Sequence, residues 1–401
     1  MARELTTRCC VVGGGPAGMM LGVLLARSRI DTIVVEKHAD FLRDFRGDTI
    51  HPSTLELLGE LGWLDDFLPL PHQPIREVGL EVAGIRVPVA DFSHLPVRCR
   101  FVALLPQWDF LDFLADRGAA LPNFRLRQQA EATDIILEAG RVVGVRVEDA
   151  EGPLTVHADL VVAADGRHSR LRAAAGLAVR DLGAPMDVLW MKLPRRSSDP
   201  EAVLGYAAAG HLLVLLNRGD YWQCAFVIPK GGYETVREAG LKHFRAALMR
   251  TAPLLAGRTG PLDSWDAVKV LTVTVDRLEQ WCRPGLLCIG DAAHAMSPIG
   301  GVGINLAIQD AAAAARILAP ALRRGVPDIA TLRRVQRRRN WPTRATQRLQ
   351  MLAQDRIIRP VLSGGGGKLP LPFRLLHRFP LLRRIPARLL GMGFRPEHIE
   401  A

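Results

Sequence analysis

The sequence predicts an α/β protein. One Rossmann-like lobe of parallel strands and helices is assembled from three separated segments, a mostly antiparallel β-sheet lobe is inserted into it, and a helical C-terminal segment follows. Three observations carry this reading. Residues 8–37 read as strand, glycine-rich turn, helix and second strand; 158–176 and 285–318 each repeat the strand–turn–helix order; and 185–230 switch to short alternating strands. The first lobe is expected over 1–72, 98–180 and 270–330, the inserted lobe over 73–97 and 181–269, and the helical segment over 331–401.

The opening run "RCCVV" (8–12) is apolar without alternation, as a strand covered on both faces requires, and "DTIVVEK" (31–37) is a second one. Between them "GGGPAGMMLGVLLARS" (13–28) has helical apolar spacing. Residues 46–63 read as a loop and then a helix after Pro52, with Ser53 or Thr54 as its cap. Residues 73–97 combine prolines with alternating β-formers and leave the first lobe. A helix over 107–121 and a strand with a hairpin over 125–149 return to it. "DVLWMKLP", "HLLVLLNRG" and "YWQCAFVIPKGG" then follow antiparallel grammar.

Composition sets limits on function. At 401 residues, 48% hydrophobic and 23% charged, the chain suits two packed lobes of a soluble protein. No apolar run reaches the roughly 18 residues of a membrane span and no signal-peptide pattern opens the chain, so a cytoplasmic location is expected. The six cysteines form no C-x-x-C pair, which points to reduced, buried thiols and to neither zinc nor disulfides. Much of the +11 net charge is arginine, as in "LRRVQRRRNWPTRATQR" (332–348), read as a solvated helix face and not as a nucleic-acid site. "SGGGGKLPLP" (363–372) lacks the Ser/Thr and preceding strand of a phosphate loop and reads as a flexible loop.

Gly13, Gly15 and Gly18 form G-x-G-x-x-G between a strand and a helix, with Ala17 inside the same turn. The glycines allow a tight turn, close approach of a pyrophosphate and close helix packing, and the free N–H groups of the helix start favour an anion. Glu36 ends the second strand, where a carboxylate can accept from an adenosine ribose. This combination predicts a bound dinucleotide. Only one such fingerprint is present, so a separate domain for a second nucleotide is not expected.

With GGGPAG, then "DGRHSRLR" (165–172) as D-G-x-x-S-x-x-R, then "GDAAHAMSPIGGVGIN" (290–305), the chain resembles the para-hydroxybenzoate hydroxylase family of single-component FAD monooxygenases over roughly its first 320 residues. The resemblance implies FAD held non-covalently, NAD(P)H as a transient co-substrate, and O2 used through a C4a-hydroperoxyflavin to hydroxylate a hydrophobic aromatic such as a phenol, polyketide or quinone precursor. It assigns Asp291 to the ribityl chain and the small residues 292–303, with Gly301 and Gly303, to a mould for the isoalloxazine. Asn305 falls at the start of the following helix, whose N-terminal dipole is worth roughly 0.3–2 kcal/mol to the anionic reduced flavin. Pro298 presents its carbonyl to the reactive side, and Arg46 links flavin position to reduction; these two are the catalytic candidates. Gln107, Asp165, Lys37 and, through its backbone, Ala132 complete the cofactor contacts.

Arg172 closes its motif either near NAD(P)H or as a helix-surface arginine. His294 is expected to be structural, since nothing near it in sequence supplies a nucleophile. Leu213, Leu215, Trp222, Cys224 and Phe226 form one alternating face that could roof the substrate, although periodicity alone does not choose that face over its opposite. His211, Tyr206, Tyr221, Arg218 and His51, the last on a loop expected to be exposed, are candidates to activate a phenol. The scaffold is shared with halogenases, but 224–229 lacks the two tryptophans of their W-x-W-x-I-P signature. An epoxidase, a reductase and a non-catalytic redox sensor remain alternatives. The partners expected are an aromatic small molecule and O2, with a homodimer compatible. The basic, apolar stretch 373–394 reads as packing onto the first lobe or a dimer partner, in preference to an anionic membrane, because prolines interrupt it.

Overall fold

The computed structural model of the chain describes residues 3–42, 49–82, 84–201, 203–208, 210–362 and 371–399. Arg46 and most of the glycine-rich 363–372 stretch lie outside the described residues. An eight-stranded sheet organises the first lobe. Its central strand Arg3–Val12 is flanked in parallel by Gly152–Ala163 and by Thr32–Val35, and the latter continues in parallel to Phe124–Arg127. Leu286–Cys288 pairs in parallel with the second half of Gly152–Ala163, while Arg141–Asp149 pairs antiparallel with its first half. Residues 9–12 and 32–35 are buried throughout, because helices cover both sides. Helix Pro16–Arg27 packs directly on helix Gly303–Arg324.

This topology creates the site. Four parallel strands end at the same edge, at Val12, Val35, Ala163 and Cys288. The residues that follow them are the glycine turn, Glu36, Asp165 and Asp291, so sequence-distant motifs meet at one sheet edge.

The inserted lobe is a seven-stranded sheet in the order Lys269–Leu271, Met186–Pro194, Tyr221–Pro229, His211–Asn217, Val203–Ala208, Glu77–Val82 and Ile85–Asp91. All neighbours are antiparallel except the parallel pair Val203–Ala208 and Glu77–Val82. The strand Gln73–Ile75 does not join it; it pairs with Val102–Leu104, which also holds Thr49–Ile50.

The C-terminal segment is helical, led by Ile329–Ala353. Its last helices, Leu371–Arg378 and Arg384–Gly391, pack on strand Ile85–Asp91 of the inserted lobe, and Leu390 and Gly391 also meet His51, Pro52 and Gly300 of the first lobe, so the stretch bridges the two lobes where contact with the first alone was expected. Phe373 and Ala387 supply the buried contacts. One described helical stretch, Ile299–Arg324, is long and apolar enough to cross a membrane, but 78% of its most apolar window is buried within the protein. All six cysteines are buried and unpaired.

Candidate active site

The glycine turn is held by the neighbouring strand ends. The Gly13 N–H donates to Val35 O at 2.8 Å, and Gly13 has φ +106°, a conformation that favours glycine. A Cβ at Gly18 would overlap the Gly13 carbonyl. The buried Glu36 carboxylate accepts from Gly14 N–H at 2.8 Å and from His38 N–H at 3.1 Å. It therefore braces the turn.

Gly15 is different. It precedes helix Pro16–Arg27 with φ −74°, which any residue adopts, and a Cβ there would meet nothing within 4 Å. The protein itself makes no demand for glycine at this position. Open space against the N-terminus of a helix suits a pyrophosphate, so the residues fit FAD. A second observation agrees: Asp165 Oδ1 is buried without a hydrogen-bond partner among the described residues, and a cofactor hydroxyl would satisfy it. Its other oxygen accepts from Leu171 N–H at 3.3 Å, and burial raises its pKa.

Asp291 sits in the turn Gly290–Ala292, partly exposed, with Arg167 Nη2 at 3.6 Å. The mould beyond it is secured from behind. Asp310 Oδ2 accepts from Gly290 N–H at 3.1 Å and lies 2.5 Å from His294 Nε2, while its Oδ1 accepts from Arg339 Nε at 2.9 Å. Arg339 also donates to Glu397, which pairs with Arg316 and Arg338. Burial alone would raise the Asp310 pKa, but the charges of His294 and Arg339 hold it below the ordinary range. His294 is 1% exposed and packs against Trp281, so it stands behind the mould.

The next turn presents Pro298, whose carbonyl accepts from Gly301 N–H at 3.1 Å. Gly301 has φ +61° and a Cβ would collide with Thr49 Oγ1, which donates to the Gly301 carbonyl at 3.0 Å. Gly303 begins the long helix, where a Cβ would find only Met296 at 3.9 Å. The Asn305 side chain is committed to the neighbouring segment. Its Oδ1 accepts from His51 N–H and Thr54 Oγ1, and its Nδ2 donates to Thr49 O, so its side chain ties residues 49–54 to the helix and leaves only its backbone for a cofactor.

Several expectations are corrected by burial. Helix Pro52–Glu60 starts at Pro52 with His51 before it, so neither Ser53 nor Thr54 caps it. His51 is buried and its Nδ1 donates to Leu390 O at 2.6 Å. Arg172 is buried, not on a helix surface: it donates to Ala292 O and Asp276, joining its motif to the mould. Gln107 opens helix Gln107–Ala119, Ala132 is buried in the hairpin, and Lys37 is exposed.

The sheet face is decided by packing. Leu213, Leu215, Trp222, Cys224 and Phe226 are buried against Phe244, Ala247 and Leu248 of helix Leu241–Thr251, so they are core and not roof. Tyr206 joins this cluster and His211 contacts the Phe226 ring, which turns both away from the cofactor edge. The opposite face carries Leu212, Val214, Ala225 and Val227, and it packs with Ile299 of the mould and Ile358. Tyr221, with Lys192 Nζ 5.2 Å from its ring centroid, and Gln223, bonded to Arg218 Nε at 2.9 Å, share that face.

Sequence reasoning missed the residues that fix the mould from the C-terminal helix. Gln347 donates to Ala295 O at 3.2 Å, Gln350 to Ser297 O and Ile299 O at 2.9 and 3.0 Å, and Gln354 to Ser297 Oγ at 2.9 Å. Their i, i+3, i+7 spacing, which places them on one helix face, was the available signal.

One consequence is measurable. Burial lowers the His51 pKa from 6.5 to about 4. Between these values the unfolded chain binds a proton that the native state refuses, so stability present above pH 6.5 is lost as the pH falls, by up to roughly 3 kcal/mol. His51→Asn is expected to flatten this acid slope in urea unfolding. An unchanged slope would remove His51 as its source.

A parallel sheet with a phosphate-suited glycine turn, a carboxylate at the end of the second strand and a side-chain-poor turn beyond the last strand fits a flavin-binding oxidoreductase. The chain belongs to the FAD-binding-domain family of para-hydroxybenzoate hydroxylase-like flavoproteins, matching it over residues 6–348, and is an FAD-dependent monooxygenase. Among curated relatives, 6-methylpretetramide 4-monooxygenase of Streptomyces rimosus is 33% identical over 386 residues, covering 96% of this chain and 92% of that one. Among solved structures, the anhydrotetracycline hydroxylase OxyS of Streptomyces rimosus superposes with a TM-score of 0.76 at 25% identity, covering 96% and 76% of the two chains. PqsL, a probable FAD-dependent monooxygenase from Pseudomonas aeruginosa, shares the fold, with a TM-score of 0.76 at 20% identity over 90% of this chain and 99% of that one.

Proposed function

We propose that this protein hydroxylates a hydrophobic, polycyclic aromatic substrate, with NAD(P)H as reductant and O2 as oxygen donor. The observation that carries the substrate class is the apolar sheet face of Leu212, Val214, Ala225 and Val227 packed with Ile299 beside Pro298. Two relatives point the same way, since their names describe hydroxylation of pretetramide and anhydrotetracycline skeletons. Bound FAD would supply the activation of O2.

The chain supplies the rest. Gly13, Gly15, Ala17 and Gly18 hold the pyrophosphate, Glu36 the ribose, Lys37 and the Ala132 backbone the adenosine, and Asp165, Asp291 and Gln107 the remaining polar cofactor atoms. Gly301, Gly303 and the Asn305 backbone form the flat mould. Pro298 borders the reacting position, and Arg46 gates reduction. The apolar wall excludes water from the oxygen-transfer step. Of the candidates for engaging a phenol, Tyr221 and Arg218 lie at the correct face, and the charge of Arg218 reaches Asp109 in the first turn of the Gln107 helix.

The test is anaerobic stopped-flow reduction by NAD(P)H with and without aromatic compounds, followed by product mass analysis. A cognate aromatic is expected to accelerate reduction at least about tenfold, or about 1.4 kcal/mol in barrier height, and Arg46→Ala to lose that stimulation. Equal rates with the pocket empty and with a demonstrably hydroxylated compound would reject the gating. If no aromatic is ever oxygenated, a reductase becomes the better reading.

A further inference from the structure

The two helices Leu371–Arg378 and Arg384–Gly391 are anchored on one side and bare on the other. Phe373 and Ala387 are buried against the inserted sheet. Facing outward are Leu371 (65% exposed), Leu375, Phe379, Leu381 (68% exposed) and Ile385. Isolated exposed leucines are ordinary, but five large apolar side chains lie within fifteen positions, Leu371, Leu375 and Ile385 on the two helices and Phe379 and Leu381 on the turn that joins them. Arg374, Arg378, Arg384 and Arg388 are exposed beside them, and none has an ion-pair partner among the described residues. Residues 371–391 contain five arginines and neither aspartate nor glutamate.

We infer that this patch docks on the surface of an anionic phospholipid bilayer. Apolar side chains set between arginines match an interface in which acyl chains lie beneath negative head groups, and long arginine stems reach from one layer to the other. Charge argues against a second copy as the occupant. In a two-fold contact the patch meets itself, so unpartnered arginines would face arginines with no acid between them.

The patch is also continuous with the site. Leu390 O accepts from His51 Nδ1 at 2.6 Å, and a Cβ at Gly300 would lie 2.6 Å from Leu390 Cδ2, so the helix that rests on the bilayer touches the turn carrying Pro298. Docking would place the site beside the phase in which a hydrophobic aromatic dissolves. That use rests on the proposed function, whereas bilayer binding itself does not.

The experiment is co-sedimentation of the purified, FAD-loaded full-length protein with vesicles of phosphatidylcholine alone or mixed with phosphatidylglycerol. Binding is expected only to the mixed vesicles and is expected to weaken with salt. The double variant Phe379→Asp/Leu381→Asp should keep its FAD absorbance and thermal midpoint while its vesicle affinity falls about tenfold or more. Arg378→Gln/Arg384→Gln should weaken binding and reduce its salt dependence. The inference is overturned if the protein stays in the supernatant with both vesicle types, or if the aspartate variant binds as tightly as the parent. It is equally overturned if the unvaried protein is a dimer that the aspartate variant dissociates while neither binds vesicles.

Discussion

Gly15→Ala is expected to fold as well as the parent and to lose FAD. A methyl group at this position meets no protein atom within 4 Å, and φ −74° needs no glycine. The stability of the cofactor-free protein should therefore stay within about 0.5 kcal/mol, a small gain from a stiffer unfolded chain opposing a small loss at the helix start. The same methyl would occupy the space proposed for the pyrophosphate at the helix N-terminus. An affinity loss of about a hundredfold or more, near 2.7 kcal/mol, is expected in fluorescence titration with FAD. Gly18→Ala is the contrasting variant, since its Cβ would overlap the Gly13 carbonyl and should destabilise the fold itself. Unchanged FAD affinity in Gly15→Ala would place the pyrophosphate elsewhere.

The largest effect on stability is expected from Asp310→Ala. Asp310 is fully buried and joins Gly290 N–H, His294 and Arg339. Its removal leaves the buried Arg339 guanidinium with Glu397 and the Arg395 carbonyl, one anionic partner instead of two, and the Gly290 N–H without its partner, a loss of about 3–5 kcal/mol. The measurement is denaturant unfolding of the cofactor-free protein, which separates a structural role from a cofactor contact. Because the native pKa of Asp310 is held below its unfolded value, its contribution is present above that unfolded value and is lost as the pH falls through the native one. Asp310→Asn keeps hydrogen-bonding atoms without the charge and should fall between parent and alanine variant. An alanine variant with an unchanged unfolding midpoint would show that the network carries no stability.

The two outcomes also divide the "GDAAH" stretch. Asp291 is partly exposed at the edge where the strands end, whereas His294 is sealed behind it on Asp310. Asp291→Ala should therefore weaken FAD binding, and His294→Asn should act mainly on unfolding.

The sequence by itself determined the parallel sheet, the glycine turn, Glu36 and the order of the three strand–turn–helix units, because each is a local pattern whose backbone requirement is written in consecutive residues. It also located the start of the long helix near 303–305, and the helix begins at Gly303. What only the tertiary structure decided is which face and which partner. Alternation in "HLLVLLN" shows that two faces exist, but only the packing of helix Leu241–Thr251 assigns Leu213 and Leu215 to the core and Leu212 and Val214 to the side of the mould. The same holds for His51, Arg172 and Asn305, polar residues whose partners lie 339, 104 and 254 positions away in the chain. A buried polar group must be satisfied, yet its own sequence neighbourhood does not say by what; that is settled only when distant segments compete for the same space and the same hydrogen bonds.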